Sequence, residues 1–325
     1  MVHAIRIHEY GGPEVLSWDE VTLGDPGPGQ VRLRQTAVGL NFIDTYHRTG
    51  LYKLPQLPAV IGSEGVGVIE AVGEGVEGLK AGDRVGYAPG PLGSYAEARL
   101  IAADRLVHIP DKISDEQAAA ILLQGMTVQS LIRVCYRVKA GDTILVQAAA
   151  GGVGLLLCQW AKHLGATVIG TVSTDEKAEL ARANGCDHPI VYTRENFVER
   201  VREITNGEGV PVVYDGVGKT TFMDSLDCLR PLGLMVLFGA ASGAVPPFDL
   251  QVLAGKGSLF VTRPTLATYV AKRADLLASA SELFEVVGSG AVRINIGNRF
   301  ALQDAAEAHR ALESRATTGS TILIP

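Results

Sequence analysis

Cysteine is scarce: the 325 residues hold four, at Cys135, Cys158, Cys186 and Cys228, and no two stand at C-x-x-C spacing. That excludes a zinc clip or redox dithiol built on local pairs and leaves buried free thiols as the reading. Positive charge is also short, with 29 Lys and Arg against 35 Asp and Glu and a net charge of −6. Without a broad basic field, nucleic acid is a poor partner. No apolar run reaches the length a membrane-spanning helix needs, and the first residues, MVHAIRIHEY, lack an apolar signal-type core. The expectation is a cytoplasmic protein with no membrane partner. The seven histidines are scattered, and none joins an acid–base constellation; His47 reads as a surface residue.

Glycine, by contrast, is abundant at 38 residues, many of them between short apolar runs. Up to about residue 110 the chain reads as mostly β, with runs such as 31–34 and 66–72 between turns at 11–13, 25–29 and 73–75. A helix is expected from Ser114 to Arg133. Strands follow at 143–147, 167–172, 188–191, 212–215 and 233–238, with amphipathic stretches between them. This alternation predicts an α/β fold: a doubly wound parallel sheet covered on both faces. A last strand is expected at 258–262, a long helix at 268–287, a shorter one at 303–314 and a terminal strand at 321–324.

The stretch Thr143–Gly154 joins an apolar run to the turn Ala148-Ala149-Ala150-Gly151-Gly152-Val153-Gly154 and then to a helical pattern. A strand, a glycine turn and a helix N-terminus make an anion seat: backbone N–H groups point outward and missing Cβ atoms admit a pyrophosphate. The second strand of such a unit usually ends in an acid that binds the ribose 2′-hydroxyl. Here it ends at Ser173, and Lys177 follows four residues on. Asp175 and Glu176 read as the start of a helix capped from Ser173. The pair Ser173 and Lys177 favours NADPH over NADH.

These features, with Asn41-Phe42-Ile43-Asp44-Thr45-Tyr46, Gly62-Ser63-Glu64-Gly65, Ala81-Gly82-Asp83-Arg84-Val85, Leu123-Gln124-Gly125-Met126-Thr127, Tyr214-Asp215-Gly216-Val217-Gly218 and Leu312-Glu313-Ser314-Arg315, resemble the medium-chain dehydrogenase/reductase superfamily. Within it the chain is most similar to the zinc-independent quinone oxidoreductases, the NADPH:quinone reductase and ζ-crystallin branch. The resemblance covers essentially the whole chain. It implies a GroES-like, β-rich domain of residues 1–125 and 266–325 around a Rossmann domain of residues 126–265, with nicotinamide and substrate in the cleft between them. It also implies a homodimer joined through edge strands near 258–262. Gly151, Gly152, Val153, Gly154, Ser173, Lys177, Tyr192 and Arg315 match dinucleotide contacts. Asn41, Ile43, Gln124, Thr127, Val217, Phe238, Gly239 and Arg263 match positions near the nicotinamide.

Zinc-dependent members of the superfamily carry a ligand cysteine where this chain has Asn41 and a ligand histidine where it has Ser63. An amide and a hydroxyl do not replace them, so no metal is expected. Without a Lewis acid a simple alcohol has no means of lowering its pKa before hydride loss. A quinone accepts hydride readily and needs only positioning and hydrogen-bond donors. Asn41, Tyr46, Tyr52 and Thr127 are the candidate donors, with the tyrosines read as part of a glycine-rich loop and Asp44 as a group that fixes it. Asp215 reads as organiser of its turn. The competing expectations are reduction of other activated α,β-unsaturated carbonyls and, from a different class, nucleotide or RNA binding of the ζ-crystallin kind.

Overall fold

The computed structural model describes residues 1–314 and 317–325, so Arg315 lies outside the described residues. The turn-rich first third forms β1 (Val2–Ile7), β2 (Leu16–Val21), β3 (Gln30–Leu40), α1 (Phe42–Thr49), β4 (Ala59–Val60), β5 (Gly65–Val72), β6 (Arg84–Tyr87), β7 (Ala98–Ala102), β8 (Val107–His108) and α2 (Asp115–Gln129). One element adds to the mostly β reading there: residues 42–49 are helical, so Tyr46 sits on a helix and not in a loop. Its signals are local. Asp44, at the third helical position, accepts the Asn41 N–H, and Gly50 closes the helix in the left-handed region at φ 78°.

From α2 the chain continues as a π-helical turn, Ser130–Cys135. Together, Asp115–Cys135 is apolar and long enough to cross a membrane by length and composition, which corrects the expectation that no such run exists. Most of it is buried within the protein, as in a core helix.

The alternating region gives β9 (Thr143–Val146), α3 (Gly152–His163), β10 (Thr167–Val172), α4 (Asp175–Ala183), β11 (His188–Val191), α5 (Phe197–Ile204), β12 (Val210–Asp215), α6 (Phe222–Asp227), β13 (Leu229–Leu237), α7 (Gln251–Gly255) and β14 (Phe260–Thr262). Then come α8 (Leu266–Tyr269), α9 (Arg273–Gly288), β15 (Ile296–Ala301), α10 (Ala305–Glu313) and β16 (Ser320–Ile324). The single helix expected from residue 268 is broken before Arg273. No glycine or proline marks the break; instead Arg273 Nη1 donates to the carbonyls of Asp104 (2.9 Å) and Leu106, a tertiary tie that periodicity does not encode.

The chain divides into two compact units, Met1–Met126 with Val270–Phe284 and Ile294–Pro325, and Thr127–Tyr269 with Glu285–Arg293. The second holds a wholly parallel sheet in the order β11-β10-β9-β12-β13-β14. Buried Leu145, Ile169, Ile190, Val213 and Met235 pack with Val201 and Phe222 to form its core. This is the doubly wound order, whose reversal beside β9 opens a crevice at the C-terminal strand ends. The first unit holds a small sheet, β2-β1-β4, and a larger one, β15-β16-β3-β5-β6-β8, with β7 also on β3. Antiparallel pairing sets Thr321 of β16 opposite Leu40 of β3. The C-terminal strand thus meets β3 one residue before Asn41.

Candidate functional site

In the second unit, β9 runs into a turn shaped by sterics. Ala148 adopts a left-handed φ of 57°, and its carbonyl accepts the Gly151 N–H at 3.0 Å. A Cβ on Gly154 would lie 2.3 Å from that same oxygen and 2.8 Å from the Ala149 backbone, so glycine is required there. The first-turn N–H groups of α3, on Gly152, Val153 and Gly154, have no acceptor inside the helix. Together with the helix dipole they offer a seat for a pyrophosphate.

Below this turn lies a file of buried polar groups. Thr171 Oγ1 accepts the Ala148 N–H and donates to Gln147 Oε1 at 2.5 Å. Gln147 Nε2 donates to Ser225 Oγ, and Ser225 to Asp215 Oδ2. Asp215 also accepts from Val217 N, Gly218 N and Thr221 Oγ1 at 2.7–3.0 Å. Burial raises its pKa and these donors oppose the rise. With every partner supplied by its own neighbourhood, Asp215 holds the turn after β12 that carries Val217.

At the far end of β10, Ser173 leaves the strand without a carboxylate. Thr193 Oγ1 donates to the Ser173 carbonyl at 3.0 Å and Tyr192 N–H to that of Val172 at 3.1 Å, bringing Tyr192 beside Ser173. The cap of α4 is Thr174, whose hydroxyl accepts the Lys177 N–H, and not Ser173 as expected. Asp175 and Glu176 do belong to the helix start: Asp175 pairs with both terminal nitrogens of Arg194 at 2.5–2.6 Å, which lowers its pKa. Ser173 thus follows β10, Tyr192 follows the neighbouring β11 and Lys177 lies in the first turn of α4, with Asp175 already engaged by Arg194. Val217, Phe238, Gly239 and Arg263 follow the C-terminal ends of β12, β13 and β14. Gly239 is held so close to Gly216 that a Cβ would meet its carbonyl at 2.4 Å.

In the first unit, Asn41 and Gln124 lie in a buried polar group that composition did not foretell. Asn41 Nδ2 donates to Glu64 Oε1 at 2.5 Å, Gln124 Nε2 to Asn41 Oδ1 at 3.2 Å, and Ser320 Oγ to Gln124 Oε1 at 2.9 Å. The Leu123 N–H donates to Glu64 Oε2 at 2.7 Å. A second file centres on Asp44, fully buried, which accepts from Asn41 N, Ser63 Oγ and Tyr95 Oη at 2.9–3.1 Å. Tyr95 Oη lies 3.1 Å from His309 Nε2, and Arg48 Nη1 lies 2.9 Å from His309 Nδ1. Arg48 only donates, so Nδ1 accepts and Nε2 carries the proton toward Tyr95. Arg48, itself buried, closes the file on Glu313 with two bonds of 2.8 and 2.9 Å.

Burial dominates the electrostatics here. It raises the Asp44 carboxyl to about 6 despite its three donors, and Glu64 to about 8, with the Asp44 charge adding to the rise. Burial, with Arg48 beside it, lowers His309 to about 3, keeping that ring neutral. Glu64, Tyr95, Arg48 and His309 were not singled out from the sequence; the one available signal was Glu64, which adjoins Ser63 in a motif already noted. Ile43 is half-buried on α1, and Thr127 is half-buried on α2, one turn beyond Gln124. Tyr46 is buried and meets Tyr52 edge to face at 5.3 Å. His47 is not the surface residue expected: it is half-buried, edge-on to Tyr52, and burial lowers its pKa. Among the described residues no group of three or more His, Cys, Asp and Glu side chains could hold a metal ion.

Residues 27–111 match the model of the alcohol dehydrogenase GroES-like domain, and residues 152–277 that of the zinc-binding dehydrogenase family. The chain is 54% identical to a quinone oxidoreductase of Pseudomonas aeruginosa over the whole of both chains. It is 47% identical to a 2-haloacrylate reductase of a Burkholderia species, covering 100% of this chain and 99% of that one. The crystal structure of Escherichia coli quinone oxidoreductase complexed with NADPH superposes with a TM-score of 0.98 at 49% identity, covering 99% of this chain and 100% of that one.

Proposed function

We propose that this chain, which belongs to the quinone oxidoreductase family of the medium-chain dehydrogenase/reductase superfamily, transfers hydride from NADPH to quinones without a metal. The observation that carries the reading is the end of β10: Ser173 in place of an acid, Tyr192 at the end of the adjoining strand and Lys177 in the first turn of the helix that follows. A carboxylate there would repel a 2′-phosphate; a serine and a lysine attract one. The Gly151–Gly154 turn on α3 has the room and the donors for the pyrophosphate. From the family pattern we assign Asn41, Ile43, Gln124, Thr127, Val217, Phe238, Gly239 and Arg263 to the nicotinamide half. Arg315 is assigned, from the family pattern alone, to the 2′-phosphate.

NADPH bound there supplies the hydride from its nicotinamide ring. The residues of the chain hold and orient: Asn41, Tyr46, Tyr52 and Thr127 are the proposed donors to a quinone oxygen as charge builds on it. Metal independence is supported by the engagement of Asn41 with Glu64 and Gln124, and of Ser63 with Asp44. Neither position offers a thiolate or imidazole. The test is a titration with NADPH and NADH followed by steady-state quinone reduction on chelator-treated protein. Tighter NADPH binding and undiminished turnover are expected; equal affinities, or restoration by zinc, would overturn the proposal.

A second reading, reduction of other activated α,β-unsaturated carbonyls, is favoured by the 47% identity to a 2-haloacrylate reductase. Quinones and 2-haloacrylates assayed side by side decide between them through the ratio of kcat/KM values. A cytoplasmic homodimer completes the proposal. The edge strand β14, with Phe260 exposed on it and Leu232 exposed next to the Gly257 that precedes it, supports pairing between copies.

A further inference from the structure

Glu64, Asn41, Gln124 and Ser320 form an unbranched file of side chains, each almost wholly shielded from solvent. The space for the carboxyl is built in. A Cβ on Gly39 would fall 2.1 Å from Glu64 Oε1 and 2.5 Å from the Ala119 carbonyl, so glycine there makes the room. The file has a direction. With Glu64 ionised, Asn41 donates to Glu64, Gln124 to Asn41, and Ser320 to Gln124. With a proton on the Glu64 oxygen facing Asn41, that oxygen becomes a donor and needs an acceptor. A carboxamide turned by 180° keeps its shape while exchanging oxygen for nitrogen. Turning both amides restores every bond in reverse: Glu64 donates to Asn41, Asn41 to Gln124, and Gln124 to Ser320. Partial reversals leave two donors or two acceptors facing each other inside the protein, which is costly. The file therefore switches as a whole.

We propose that Glu64 is a positioning residue whose protonation sets the direction of the Asn41–Gln124–Ser320 file, and with it the donor and acceptor edges presented to the nicotinamide carboxamide. This rests on the assignment of Asn41 and Gln124 to the nicotinamide half made above. The Leu123 N–H holds the other carboxylate oxygen as an acceptor in both states, so only the oxygen facing Asn41 changes role. Burial and the Asp44 charge bring the change to about 8. The ionisable groups on this side are Asp44 and Tyr95; behind them Arg48 is paired with Glu313 and His309 is held neutral. Below the switch Asn41 accepts from Glu64; above it Asn41 donates. NADPH binding favours one direction and so is linked to the proton.

The substitution Glu64→Gln isolates the effect. The Leu123 N–H requires an acceptor, so the glutamine oxygen faces Leu123 and its NH2 faces Asn41. The file is then locked in the direction of the protonated acid at every pH. The experiment measures NADPH affinity of the full-length protein between pH 7 and 9.5, above the range in which the 2′-phosphate titrates. Wild type should show a step of roughly three- to tenfold, the worth of one mismatched hydrogen bond. Glu64→Gln should show none. A step that persists in Glu64→Gln, or a wild type without one, overturns the proposal. A second measurement needs no variant: calorimetric NADPH titration of wild type at pH 8 in buffers of different ionisation enthalpy. Proton exchange on binding is expected, and its absence overturns the proposal. Failure to bind NADPH at any pH would instead sink the functional reading beneath it.

Discussion

Lys177 is where the choice between NADPH and NADH becomes testable at a single residue. Lys177→Ala should weaken NADPH binding roughly ten- to a hundredfold, the range for a lost charge-assisted hydrogen bond, and leave NADH nearly unchanged. Fluorescence titration with both dinucleotides checks this; equal losses would show that the lysine serves the fold. Glu64 makes a prediction about stability. Its folded pKa of about 8 lies above the ordinary 4.5, so between these values the folded chain binds more protons than the unfolded one. Stability therefore falls as pH rises through that window. Asp44, raised to about 6, acts in the same sense at lower pH, while His309, lowered to about 3, acts in the opposite sense up to about pH 6.5. From about pH 6.5 to 8 Glu64 is left to act by itself among these groups, contributing a loss of about 2 kcal/mol. Urea unfolding at pH 6.5 and 8.5 should show that loss in wild type and not in Glu64→Gln. Arg48→Ala should cost about 1–3 kcal/mol, because it strips a hydrogen-bond partner from buried His309 and empties the space of a buried side chain, while Glu313, more than a third exposed, returns to water; an unchanged unfolding midpoint would refute that. The residues carrying these predictions differed in how legible they were. Ser173 and Lys177 follow from position along a strand and helix. The Tyr95–His309 contact joins side chains 214 residues apart, and no local pattern encodes it.

The elements carry the binding geometry, and most of them were legible. Each strand of the parallel sheet lies within a few residues of its apolar run, because strands buried on both faces need continuous apolar sequence. The misses have two different causes. Helix α1 was lost among glycine-rich turns although its cap, its acid at the third position and its closing glycine are all present in the sequence. The break between α8 and α9 has no local mark at all, since Arg273 is drawn to carbonyls from a distant segment. At the start of α3 the geometry is strict. Gly154→Ala would drive a methyl into the Ala148 carbonyl and Ala149 backbone, forcing the turn to shift. We expect NADPH affinity to fall by at least tenfold with a loss of about 1–3 kcal/mol in stability. Calorimetric titration and thermal unfolding together check it, and unaltered affinity would show that the phosphates do not rest on this turn.

The whole molecule combines a parallel sheet with its glycine turn at the start of α3 and a β-rich unit holding two buried carboxyls of unequal pKa. Pairing through β14 predicts a particle of twice the 34.3 kDa chain in sedimentation analysis, and Phe260→Lys should shift it toward the single chain. A monomeric wild type would remove the dimer from the account. The most direct measurement is the reduction of 1,4-benzoquinone by metal-stripped protein, followed as oxidation of NADPH deuterated at the transferable position. The account predicts turnover without added metal, a strong preference over NADH and deuterium lost from the nicotinamide ring. No NADPH oxidation, or turnover that appears only when zinc is restored, would contradict it.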